Sequence, residues 1–61
     1  MRAPQDRDGR EIRVGTLVSM PGEYGVGRVT IITPEDVRDV YVDWGGWGLY
    51  FESRNLVVVT S

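Results

Sequence analysis

Val40-Tyr41-Val42-Asp43-Trp44-Gly45-Gly46-Trp47-Gly48-Leu49-Tyr50-Phe51-Glu52 reads as two strands joined by a glycine-rich turn. Val40, Val42 and Trp44 alternate along one face of the outgoing arm. Leu49 and Phe51 alternate with Tyr50 and Glu52 on the return, the period-two signature of half-buried strands. Pairing Trp44 with Leu49 across a four-residue loop sets Val42 opposite Phe51 and, on the other face, Tyr41 opposite Glu52. Pattern and register agree, which is what a specified hairpin requires.

Working outward, Leu17-Val18-Ser19-Met20 precedes a loop opened by Pro21-Gly22 that runs through Tyr24 to Gly25. Val26 to Thr33 is rich in β-branched residues, and Gly25 and Gly27 at its start suggest a bulge or a close backbone approach. Thr33-Pro34-Glu35-Asp36 reads as a turn, Ser53-Arg54-Asn55 as one 3-10 turn, and Leu56 to Val59 as a last short strand. Short strands at these spacings describe an all-β, five-stranded antiparallel SH3-like (Tudor-type) barrel with a 3-10 turn before the last strand. Residues 1–11, polar and without a helical period, are expected to form a flexible N-terminal arm, and residues 12–61 the barrel. The predicted core is Val18, Val29, Val42, Leu49, Phe51, Leu56 and Val58.

Composition removes most chemistry. The 61 residues contain neither Cys nor His, so a thiolate nucleophile, a Ser-His pair and a zinc site of the usual ligands are excluded. All seven basic residues are Arg, which excludes a P-loop lysine or a Schiff base. The nine carboxylates sit in a domain too small to desolvate them for acid/base work. No enzymatic activity, cofactor or metal is expected. A net charge of −2 lacks the broad basic footprint that phosphate backbones select. With no apolar run of membrane-spanning length and no apolar signal core, the expected location is the cytoplasm. A chain this short without disulfide or zinc needs a well-packed core, or a partner or second copy to supply burial.

The candidate contact residues are aromatic. Tyr41 and Tyr50 fall on the face opposite Val42 and Phe51, so the core does not need them. Trp47 lies in the glycine-rich turn and Tyr24 in the first loop. Together, Tyr24, Tyr41, Trp47 and Tyr50 form the expected partner-binding surface, since exposed aromatics dominate interface hot spots. Arg28, Arg38 and Arg54 are candidate anion contacts if the loops bring them together. Gly25-Val26-Gly27 precedes no helix and is a turn rather than a phosphate loop.

Gly15-x-x-Val18, Gly25-Val26-Gly27-Arg28-Val29, Val42-Asp43-Trp44-Gly45-Gly46, Leu49-Tyr50-Phe51 and Asn55-Leu56 resemble, over Gly15 to Val59, the Tudor-like barrels of the SH3 class. The order of motifs is similar to the RNA-polymerase-interacting domain of CarD-type transcription factors and transcription-repair coupling factors. The loop from Met20 to Tyr24 is longer than in that family and lacks its usual His, and Tyr50 stands where a polymerase-contacting Arg is sometimes found. This resemblance implies docking on RNA polymerase by strand addition. More distantly, Asp43-Trp44-Gly45-Gly46 resembles the Tudor motif that places an aromatic in a cage for methylated Lys or Arg. By that resemblance Tyr24, Tyr41 and Trp44 would form the cage. The leading expectation is a protein-docking domain with RNA polymerase as first named partner. A nucleic-acid-binding KOW-like barrel and a phage- or plasmid-encoded structural or assembly subunit, with homo-oligomers among its forms, follow.

Overall fold

The structure, a computed structural model, describes residues 3–59, without the side chains of Glu23 and Tyr24. Its strands are β1 (Leu17–Met20), β2 (Glu23–Ile32), β3 (Val40–Asp43), β4 (Gly48–Phe51) and β5 (Val57–Val58), with a 3-10 turn, η1 (Ser53–Asn55), before the last. They form one antiparallel sheet in the order β4-β3-β2-β1-β5. The five strands and the 3-10 turn match the sequence pattern. Among the described residues no ladder joins β4 to β5, so the sheet is open and has two edges.

Each hairpin turn follows from local chemistry. Met20 pairs with Glu23, so the expected long first loop is instead a tight turn at Pro21-Gly22, and β2 begins earlier than predicted. Gly22 takes a φ of 82°, which a side chain would strain. Trp44 N–H donates to the Trp47 carbonyl at 2.8 Å across Gly45 and Gly46, both at positive φ, as a primed two-residue turn requires. The Asp43 carboxylate accepts from the Gly45 and Gly46 amides and fixes the corner. This tighter turn shifts the expected register by two residues, giving Val40↔Phe51, Tyr41↔Tyr50, Val42↔Leu49 and Asp43↔Gly48. A shift of two keeps every side chain on its predicted face.

The core is Ile12, Val18, Val29, Val40, Val42 and Leu56, all fully buried, with Met20, Ile32, Trp44, Phe51 and Val58 packed against it. Leu49, predicted to lie in the core, is 48% exposed. It faces the core side but sits on the edge strand, where no next strand covers it. Gly27 is buried under Trp44 and Val42, and a Cβ there would meet Trp44 Cε3 and Val42 Cγ1 at 2.6 Å, so the position requires glycine. Between Val29 and Ile31 the register against β3 slips by one residue at a bulge. Val29 therefore points inward and Ile31, two residues on, outward.

The expected free arm is instead folded back on itself between Pro4 and Ile12, and Asp6 and Arg7 tie it to Val58 and Leu56. Ile12 N–H donates to the Pro4 carbonyl, Asp6 N–H to Arg10, and Gln5 bridges Glu11. Asp6, 4% exposed, is the one buried charged residue among those described. Its carboxylate accepts three backbone N–H bonds, from Asp8 (2.9 Å), Arg10 (2.7 Å) and Val58 (2.7 Å). Those bonds satisfy the charge that burial would otherwise penalise, and they hold the segment across β5. No helix among the described residues is long and apolar enough to cross a membrane.

Candidate functional site

The hydrogen-bond parity of the sheet decides what each edge offers. In an antiparallel ladder, residues alternate between bonding to one neighbour strand and to the other. The Trp44–Trp47 bond marks that pair as mutually bonded, so Leu49 and Phe51 also bond to β3. Gly48 and Tyr50 then direct their N–H and C=O groups off the sheet, and no described residue hydrogen-bonds to them. On β5, Val59 N–H donates to the Leu17 carbonyl, so Val58 is the residue whose groups face outward. There the outward N–H of Val58 is taken by Asp6 and the Leu56 carbonyl by Arg7 N–H at 3.0 Å. One edge is capped by the chain itself and the other is bare.

Beside the bare edge lies the aromatic face. Tyr41 and Tyr50, a directly opposed pair whose backbones do not bond to each other, meet edge to face with ring centroids 4.8 Å apart. The Tyr41 ring lies over Gly48, occupying the place a Cβ would take. Ile31, turned outward by the bulge and 45% exposed, is the cross-strand neighbour of Tyr41. Tyr50, Tyr41 and Ile31 thus form a row across three strands on the face away from the core. Arg38 borders this row, lining a shallow hollow with Tyr41, Tyr50, Glu52 and Asn55.

Not all the expected partners join it. Trp47 is 46% exposed and borders a second hollow with Tyr41 and Asp43, but its ring leans on Trp44 at 6.4 Å. Trp44 itself packs on Phe51 at 5.6 Å and against the core, on the face opposite Tyr41, so these two rings do not face a common cage. The Tyr24 side chain lies outside the described residues. The three arginines do not converge. Arg28 reaches the Gly15 carbonyl at 3.5 Å, Arg54 pairs with Glu52 at 2.6 Å, and Arg38 stands beside Tyr50. Among the described residues no cluster of carboxylates has the makings of a metal site.

Sequence reasoning missed two features of the site. Ile31 was hidden because a bulge reverses strand parity and leaves no trace in residue type. Asp6 was hidden because its third partner, Val58, is 52 residues away. Asp6 is also electrostatically perturbed. Burial acts to raise its pKa, but the bonds from Val58, Arg10 and Asp8 and the nearby Arg10 charge outweigh it and hold the carboxyl below its ordinary value. Comparison with protein-family models, with curated proteins and with solved structures finds no match for this chain.

Proposed function

We propose that this chain is a small non-catalytic protein-interaction domain of the SH3-like, Tudor-type class, which docks on a transcription component through the β4 edge and the aromatic side chains beside it. The observation that carries the reading is the bare edge at Gly48 and Tyr50 set against the Tyr50–Tyr41–Ile31 row. An incoming extended segment would find backbone donors and acceptors along β4 and apolar contact on the face next to it, the requirements of strand addition. Strand order and the 3-10 turn before β5 support the SH3-like class. RNA polymerase is the named partner because the motif order resembles its interacting domains. The scattered arginines and net charge of −2 favour a protein over a phosphate backbone.

The test is titration of the chain against purified core RNA polymerase. Binding that falls about 10- to 100-fold for Tyr50→Ala, the usual range for a hot-spot truncation, supports the reading. Absence of binding by the native chain removes polymerase as the partner. Equal binding by the variant removes the aromatic face as the site.

A further inference from the structure

The β4 edge has a second consequence. Gly48–Phe51 is short, but it contains no charge, no proline and no bulge, three devices that help keep an exposed edge from pairing with a copy of itself. Leu49 on one side of the strand and Tyr50 on the other are 48% and 42% exposed. We propose that, when no other partner is bound, the β4 edge pairs antiparallel with the β4 edge of a second copy, giving a two-fold dimer with one continuous sheet.

Parity restricts how the copies meet. Only Gly48 and Tyr50 face outward within β4, so the two-fold axis passes at Leu49, with Tyr50 opposite Gly48 of the partner copy, or at Tyr50, with Leu49 opposite Phe51 of the partner copy. Both arrangements form about four to six inter-chain backbone bonds. In both, β4 sets no like charges opposite each other, an arrangement that would destabilise a strand pair. Association stops at two because the other edge is occupied by Asp6 and Arg7, so the dimer is closed rather than a growing fibre. A contact limited to one short strand buries less than a standard interface and is therefore weak and reversible. That weakness makes the dimer a resting state, since a partner that adds a strand to β4 must displace the second copy. This regulatory part rests on the docking reading above.

Analytical ultracentrifugation of the native chain tests the pairing. The expected result is a monomer–dimer equilibrium with a midpoint of about 10–100 µM, the range of weak interfaces. Leu49→Lys, at a half-exposed position, should fold and shift that midpoint at least about tenfold by opposing like charges near the axis. The chain has no cysteine, so Leu49→Cys and Tyr50→Cys are clean probes. One of them should form a cross-chain disulfide under mild oxidation, while Val14→Cys, at an exposed position beside Pro4 and Ile12 rather than β4, should not. A chain that stays monomeric to about 500 µM overturns the proposal, as does a dimer unaffected by Leu49→Lys or an assembly that grows beyond two. Polymerase binding is read separately: a dimer without polymerase binding defeats the docking partner alone, and polymerase binding by a strictly monomeric chain defeats the dimer alone.

Discussion

The two edges of this sheet carry the same kind of unpaired backbone and treat it differently. At β5 the outward N–H of Val58 and the Leu56 carbonyl are met by Asp6 and Arg7, residues from the opposite end of the chain. At β4 the outward groups of Gly48 and Tyr50 meet no described residue, and the row of Tyr50, Tyr41 and Ile31 lies beside them. A bare edge is a liability that proteins usually suppress. The chain suppresses one and leaves the other, and on the proposed reading β4 is the working edge.

Removing the cap is the strongest way to break this contrast. Asp6→Ala leaves three backbone N–H groups without their acceptor and is expected to cost about 2–4 kcal/mol, measured by urea unfolding. It should also make β5 a second adhesive edge, so that the variant associates beyond two copies. A loss below about 0.5 kcal/mol would mean the segment is not held by its carboxylate.

Acid provides a graded version of the same change. The folded-state pKa of Asp6 is depressed, so its contribution is present above the unfolded value, about pH 4, and is lost as pH falls through the lower folded value. The melting temperature should fall more steeply below about pH 4 in the native chain than in Asp6→Asn. Parallel curves for the two proteins would place the acid sensitivity elsewhere.

On the bare edge, the effects on stability are smaller. Gly48→Ala puts a Cβ 2.5 Å from the Tyr41 hydroxyl and must displace that ring, at about 1–2 kcal/mol. Loss of the Tyr41–Tyr50 contact should be visible in the ring proton shifts. Tyr50→Ala, on the surface, should cost about 0.5–1 kcal/mol of stability while weakening partner binding far more. If Tyr50→Ala unfolds the chain, the aromatic row is structural and the contrast between edges loses its functional half.

What the sequence made legible follows the range of each signal. The alternation in Val40–Asp43 and the glycines beside it placed the hairpin and both of its faces, because strand parity is local. The register was off by two because Gly45-Gly46 alone forms the turn, with Asp43 holding its amides. The faces survived because two is the strand period. Leu49 reads as core from its alternation, but alternation does not reveal which strand lies at an edge. Ile31 was obscured by the bulge. Asp6, beside an Asp8-Gly9 turn, looks like any polar loop residue, and only the tertiary fold brings Val58 to it. The core-facing pattern was written locally, whereas the contrast between the edges depends on contacts that no short window contains.

Amide hydrogen exchange, residue by residue, tests that contrast most directly, at a concentration of about 1 µM, below the weak self-association range. The Val58 amide, bonded to the buried Asp6 carboxylate, should exchange as slowly as the core strands, and those of Gly48 and Tyr50 should exchange with little protection. Fast exchange at Val58, or strong protection at Gly48 and Tyr50 in the isolated chain, would contradict the account of one capped and one open edge.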